Sequence, residues 1–369
     1  MPFDVHDFPA GTRLADRNRH LLAGWLFALC AMVFVMILLG GVTRLTGSGL
    51  SIMEWAPLMG ALPPFSEAEW QRLFALYQQI PQYKLLNDGM GLDGFRAIFW
   101  LEWTHRVWGR LIGVAFVVPL IWLWLRGAIP RRLRGRLVLL FALGGLQGAV
   151  GWFMVASGFL PDSTVVSPYR LVVHLALALL LYVALLWTGL SVLNPEPSAP
   201  PGAPLRLARL CTVLVALAML AGGFVAGTHA GLIDNTFPLM EGRLVPPDYA
   251  SLTPFLRNLT ENLPAVQFDH RLLATLAAIV AGATVVAGLR RPAEPRLRIA
   301  LLALATSVAL QYALGIATLL LAVPPGLAAA HQAEAVVLLT AAVATLHAAR
   351  PGRTRLTEAA CPVAVQESP

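Results

Sequence analysis

Between Phe99 and Arg110 an apolar run, Phe-Trp-Leu-Glu-Trp-Thr-His-Arg-Val-Trp-Gly-Arg, admits several ionisable groups. Glu102, His105 and Arg106 fall within about one and a half helical turns, so Glu102 and His105 can share a helix face. A second version follows at Gln267-Phe-Asp-His270-Arg271, which keeps the histidine and arginine but carries an amide in place of the carboxylate. Two more histidines, His174 in Tyr-Arg-Leu-Val-Val-His and His331 in Leu-Ala-Ala-Ala-His, stand in later apolar runs. Ionisable groups are costly inside a membrane and mark function by default. Imidazoles facing each other in pairs suit an iron porphyrin, whose macrocycle an apolar helix bundle accepts. Zinc fits less well, since no carboxylate or cysteine cluster completes a tetrahedral set. Copper is the remaining alternative among metals that imidazole holds.

Membrane helices must carry these side chains. Apolar residues make up 57% of the 369 and charged residues 13%, too apolar for a water-soluble chain of this size. They gather in eight runs, at about 21–43, 107–125, 137–158, 170–192, 207–228, 270–289, 299–322 and 329–349. Each is near the roughly 20 residues that cross a hydrocarbon core as a helix. The expected fold is therefore all-α integral membrane with eight transmembrane helices.

Internal repeats divide the eight into two sets of four. Gly40-Gly41-Val-Thr-Arg44-Leu-Thr-Gly47 is matched by Gly222-Gly223 and then Thr228-His229-Ala-Gly231, at an offset near 182 residues. Gln147-x-x-x-Gly151 is matched by Gln311-x-x-x-Gly315, and His174 by His331. The expectation is two repeat-related four-helix bundles, 21–193 and 207–349, in the same orientation because four is even. A proline-rich linker at 194–206 joins them, with tails at 1–20 and 350–369.

The net charge of +7 arises from arginines at alternate span boundaries: Arg13, Arg17 and Arg19, then Arg126 to Arg136, Arg206 and Arg209, Arg290 to Arg298, and Arg350 to Arg355. All fall on one side of an eight-span chain, while most acids fall in the opposite loops. The positive-inside rule then places both termini in the cytoplasm. Basicity is thus a topology signal, and nucleic acid is excluded as a partner. No cleavable signal is expected, because no apolar core followed by a small-residue cleavage site precedes His20. Cys30, Cys211 and Cys361 avoid the outer loops, which argues against a disulfide framework.

The first outer loop, 46–104, is long enough to imply a role. Ser66-Glu-Ala-Glu69 is a capping box opening an amphipathic run with Trp70, Leu73, Phe74 and Tyr77 at helical spacing, expected to lie flat on the outer surface as a lid. His105, His174, His270 and His331 each stand near the start of an even-numbered span, hence at one depth toward the outer face. Arg106 and Arg271 are candidate partners for haem propionates, with a plain helix-end charge as the alternative. Gln147 and Gln311 read as interhelical hydrogen-bonders. His229 reads as a loop residue, and His6, His20 and His347 as incidental. Burial beside His105 makes Glu102 the candidate acid–base group, and Gln267 cannot titrate. The second half is therefore expected to hold a six-coordinate electron-transfer haem. The first, with the lone carboxylate, would hold a haem-like molecule that reacts.

With Gly41-Val-Thr-Arg44-Leu-Thr-Gly-Ser-Gly49-Leu-Ser, Glu102-x-x-His105-Arg106, Phe268-Asp-His270-Arg271 and the placement of His174 and His331, the chain resembles the haem A synthase family from about Gly24 to His347. The resemblance implies oxidation of the C8 methyl of haem O to a formyl group by successive hydroxylations. It implies His105 and His174 about the substrate haem O, His270 and His331 as iron ligands of haem b, and Glu102 as the acidic catalytic residue of the reacting half, either taking a proton or stabilising positive charge at the methyl carbon. It points to a bacterial inner membrane with the haem sites toward the periplasm, and to haem O synthase and an electron-transfer protein as partners, with oligomerisation left open. Some members carry a cysteine pair in the first outer loop. This loop has none, so thiol chemistry there is not carried over. The chief rival is a di-haem membrane cytochrome relaying electrons from quinol, which calls for matched surroundings in both halves. A transporter built from repeats would instead place broken helices and polar groups at the midplane.

Overall fold

The computed structural model describes residues 13–56, 59–196, 199, 202–291 and 294–351. His6, Arg353, Arg355, Cys361, the outer parts of both tails and part of the linker lie outside the described residues. The α-helices are α1 (Arg13–Leu45), α2 (Glu67–Tyr77), α3 (Pro81–Leu86), α4 (Leu92–Leu125), α5 (Arg131–Val155), α6 (Pro168–Leu193), α7 (Leu205–Thr228), α8 (Asn258–Glu261), α9 (Leu263–Leu289), α10 (Pro295–Leu320) and α11 (Pro325–Ala348). Eight of them, all but α2, α3 and α8, are long and apolar enough to cross a membrane. No β-sheet is present among the described residues, only two isolated bridges.

Proline in the first turn opens α6, α9, α10 and α11. There its missing N–H is no loss and its fixed φ suits the helix. The largest departure from the expected spans is α4, which begins at Leu92 rather than near 107. Hydropathy does not register this extension, because protein rather than lipid covers it. Phe95 and Phe99, one turn apart and both buried, meet the Trp70 ring edge-on at centroid distances of 6.3 and 4.9 Å. Phe74 and Tyr77 pack on Phe95 at 5.3 and 5.4 Å. The apolar face of α2 is therefore covered by α4 instead of lying on lipid, each large side chain contributing about 1.5–3 kcal/mol by burial. Ser66 Oγ accepts from the backbone N–H of Glu69 at 3.2 Å, the expected cap. Glu69 does not complete the box; its carboxylate pairs with Arg72.

Helix α1 packs on α4 and α6, with α5 between those two; α7 packs on α9 and α11, with α10 closing the second ring. Contacts of α6 with α7, of α1 with α11 and of α6 with α11 join the rings through a shared core that includes Leu22, Leu26, Leu185, Cys211, Leu339 and Val343. Cys30 and Cys211 are buried free thiols within this array. The alternating helix directions bring the four histidines of interest to one end, here the histidine end, and the clustered arginines to the other.

Candidate functional site

Each of the four histidines lies against a glycine of the preceding long helix. A Cβ at Gly40 of α1 would stand 3.2 Å from His105 Nε2. At Gly151 of α5 it would stand 2.9 Å from His174 Cε1, at Gly222 of α7 3.0 Å from His270 Cε1, and at Gly315 of α10 3.0 Å from His331 Cε1. Only the bare backbone of glycine lets a ring lie this close. His105 stands on α4 and His174 on α6, both packed on α1, and His270 on α9 and His331 on α11, both packed on α7. The sequence pairs are thus brought together, one in each ring of four.

The imidazoles are partly engaged with neighbouring protein: Gln147 Nε2 lies 3.3 Å from His174 Nε2, and His331 is hydrogen-bonded to the backbone of Gln311. His270 Nδ1 donates to the carbonyl of Ala218 at 3.0 Å, which leaves Nε2 with its lone pair free to ligate. The Nδ1 atoms of His174 and His331 are buried with no protein partner, and so are the Oε1 atoms of Gln147 and Gln311. Gln147 donates to the backbone carbonyl of His174 at 3.1 Å, within α5 and α6 as an interhelical tie. Paired neutral nitrogen donors, apolar walls, glycine undersides and orphaned buried polar atoms together fit an iron porphyrin in either ring. Among the described residues no cluster of three or more His, Cys, Asp or Glu stands ready for a bare metal ion.

Beside these pairs the two rings differ at one matched position. Glu102 is 3% exposed, and its Oε2 accepts from Ser51 Oγ at 2.7 Å and from the Ile52 N–H at 2.9 Å. Its Oε1 accepts from Arg106 Nε and Nη2 at 3.0 and 2.6 Å. Arg106 continues to the carbonyls of Ile52 and Glu54 at 2.7 and 3.0 Å. In the second ring Gln267 is 2% exposed, its Oε1 accepts from Arg271, and Arg271 reaches the carbonyls of Asp234 and Thr236 at 2.6 and 2.8 Å. Asp234 and Thr236 follow Ile52 and Glu54 by 182 residues, so the arginine clamp recurs at the sequence repeat. Gln267, however, donates, through Nε2, to the carbonyls of Ala230 and Ile233 at 2.8 and 2.6 Å. One loop offers N–H and O–H to an acceptor; the other offers carbonyls to a donor.

Several sequence expectations change in consequence. Glu102 is not a solitary buried acid, because a bidentate guanidinium and two loop donors fix the position of both its oxygens. Arg106 and Arg271 direct their guanidinium groups to loop carbonyls and to the residue one turn earlier, so the loop clamp is their visible role. The first ring is not alone in carrying a membrane carboxylate. Glu334, three residues after His331, hydrogen-bonds Ser307 of α10. Asp269 accepts from Tyr249 Oη at 2.9 Å, off the His270 face as expected. His229 caps α7 in the left-handed region at φ 60°, as Gly47 does at φ 66° after α1. Its Nε2 lies 3.0 Å from Arg44 Nη2, which also donates to the Ala226 carbonyl at 3.0 Å. His347 is more than incidental: buried at the arginine end, it lies 3.3 Å from Ser191 Oγ and edge-on to Trp187, tying α11 to α6. Sequence reasoning named the four glycines only as repeat markers and Ser51 only within a motif, giving none of them a place at the site. The only available signal was the recurrence of Gly40, Gly151, Gly222 and Gly315 at the repeat offsets.

Eight helices long and apolar enough to cross a membrane define a multi-pass membrane protein. A family profile of cytochrome oxidase assembly proteins (COX15-CtaA) matches residues 23–343. The chain is 64% identical to the haem A synthase of Granulibacter bethesdensis over 92% of its own length and 90% of the relative's. It is 50% identical to haem A synthase 2 of Acidiphilium cryptum over 89% and 91% of the two chains, and 47% identical to the haem A synthase of Nitrosospira multiformis over 89% and 93%. The chain belongs to the haem A synthase family.

Proposed function

We propose that the protein is a membrane oxidoreductase that converts haem O to haem A, oxidising the C8 methyl of the porphyrin to a formyl group by successive hydroxylations. His105 and His174, in the half formed by 21–193, would hold the substrate haem O, and His270 and His331, in the half formed by 207–349, would hold a resident haem b. Haem b, when bound, supplies one-electron redox capacity. The observation that carries this reading is the inversion at positions 102 and 267, where an otherwise repeated clamp holds a carboxylate in one half and an amide in the other.

The chain's own contributions follow from the geometry. The glycine beneath each imidazole sets ring orientation, and the Ala218 carbonyl fixes the tautomer of His270. Glu102 is pre-oriented by Ser51, Ile52 and Arg106, at no reorganisation cost when charge develops nearby. Both of its oxygens already accept two hydrogen bonds, so stabilising positive charge at the reacting carbon is favoured over taking a proton. Proton transfer would first require Ser51 or Arg106 to withdraw. The arginine-rich end faces the cytoplasm with both termini, and the histidine end faces the periplasm of a bacterial inner membrane. Haem O synthase and an electron-transfer protein are the partners such a reaction calls for. The di-haem cytochrome reading is not favoured, because it gives no reason for the inversion.

Pigment extraction from the purified full-length protein, with chromatography of the haems, tests this reading. Haem b together with haem O or haem A is the expected result. Haem b alone, in both halves and under ample haem O supply, would overturn it.

A further inference from the structure

The two rings also differ in how they close toward lipid, and the differing residues fall at matched positions. In the second ring Tyr312 of α10 donates to or accepts from Thr275 Oγ1 of α9 at 3.0 Å, and the Phe237 ring from the loop packs edge-on against it at 6.2 Å. This bridge shuts the space between α9 and α10 one turn from Gly315 and His331. In the first ring the counterpart of Tyr312, 164 residues earlier, is Gly148, and the counterpart of Thr275, 165 residues earlier, is Arg110. Among the described residues, a Cβ at Gly148 would meet no atom of another element within 4 Å, and the same holds for Gly144, Gly145 and, on α4, Gly113. Arg110 Nη2 goes to the carbonyl of Ala56 in the loop.

Among the described residues, the aromatic contacts that α4, α5 and their loop make with one another lie above and below this level. Trp55, the counterpart of Phe237, meets Trp152 at 5.1 Å, one turn nearer the helix end, and Arg106 lies 5.7 Å over the same indole. Phe116 meets Phe141 at 5.5 Å toward the membrane middle, where the second ring has Ala281 and Ala305. From Phe141 to Trp152 is about 16 Å along the helix axis, so the two aromatic contacts stand some three turns apart. Gly151, against which the ring of His174 lies, falls within that stretch of α5. The buried residues of α5 are Leu133, Leu137 and Leu140 alone, all below that stretch.

We propose that the matched positions Gly148 and Tyr312 decide which half exchanges its porphyrin. The gap between α4 and α5 admits a haem bearing a long apolar tail sideways from the bilayer, and the Tyr312 bridge seals the same gap over the resident haem. This rests on the proposed function for the identity of the occupant. The position of Gly151 beside His174, and the apolar Leu139, Leu146 and Phe153 exposed on the same helix, fit a tailed porphyrin rather than a water-borne ligand.

Full-length protein loaded with haemin in both halves and mixed with excess apomyoglobin is expected to release haem in two phases at least tenfold apart in rate. His105→Ala removes the fast phase and so assigns it to the first half. Gly148→Tyr abolishes the fast phase and leaves the slow one, and the variant purified from cells carries haem b without haem O or haem A. Tyr312→Gly speeds the slow phase at least fivefold. Because that variant removes volume rather than adding it, it decides the matter alone if Gly148→Tyr does not fold. One release rate for both halves, or an unchanged slow phase in Tyr312→Gly, overturns the proposal even if haem A is made. Two phases with the stated responses, in a protein yielding no haem A, would overturn the function and leave the gate standing.

Discussion

Replacing Glu102 by glutamine changes one atom, and its consequences can be worked out from the contacts. If the amide oxygen faces Ser51 and Ile52, the NH2 group meets two Arg106 donors. If the oxygen faces Arg106 instead, the NH2 group meets the Ile52 N–H and the Ser51 hydroxyl. The second orientation is cheaper, because the Ser51 hydroxyl can turn and accept, but it orphans the Ile52 N–H at about 1–3 kcal/mol. Loss of the carboxylate beside Arg106, whose side chain is 17% exposed, brings the total to the 3–5 kcal/mol order of a broken buried pair. The second half cannot serve as a template for the new amide, since the loop there presents carbonyls to Gln267. Glu102→Gln should therefore loosen the loop 46–56, lower the thermal midpoint, leave the absorbance of haem b at His270 and His331 intact, and abolish haem A. Ser51→Ala removes one donor while keeping the charge and should retain part of the haem A yield. Spectra of purified protein and chromatography of extracted haems read both outcomes. Normal haem A yield from Glu102→Gln, with unaltered stability, would refute the role of the carboxylate and the accounting of its contacts.

Gly315→Ala puts a methyl 3.0 Å from His331 Cε1. Overpacking of about 1–3 kcal/mol should weaken haem b retention by about fivefold to 150-fold, whereas Gly282→Ala, with no neighbour within 4 Å, should leave haem content unchanged. Gln267→Glu turns a donor into an acceptor against the carbonyls of Ala230 and Ile233. It should destabilise the second half by about 2–6 kcal/mol, from two unsatisfied groups at about 1–3 kcal/mol each, without creating a second reacting site; thermal denaturation and haem analysis check this. Hydrogen bonds from Arg72 hold the carboxyls of Glu54 and Glu69 below their usual value of 4.5. The contribution of this clamp to docking of the loop on α2 is therefore complete above that value and lost as pH falls through the lower folded values. Proteolysis of the 46–66 segment across a pH series should show protection failing only on the acid side, and Arg72→Ala should remove the pH dependence.

Hydropathy alone marked the eight crossings, because lipid demands about 20 apolar residues whatever the neighbours do. The four histidines that lie against glycines were legible for a related reason: an ionisable group in such a run is rare enough to stand out, and the repeat pointed to one depth for them. The outer half of α4 was not legible. Phe95 and Phe99 are buried by α2, a contact made across sequence that no local window reports. The state of Glu102 was also hidden, since its four donors come from Arg106 on its own helix and from Ser51 and Ile52 about fifty residues away. Residue type determined that a carboxylate stands in one half and an amide in the other. Only the folded loops decided what each would meet, because whether a backbone presents N–H or C=O to a side chain is set by the turn of the chain in space.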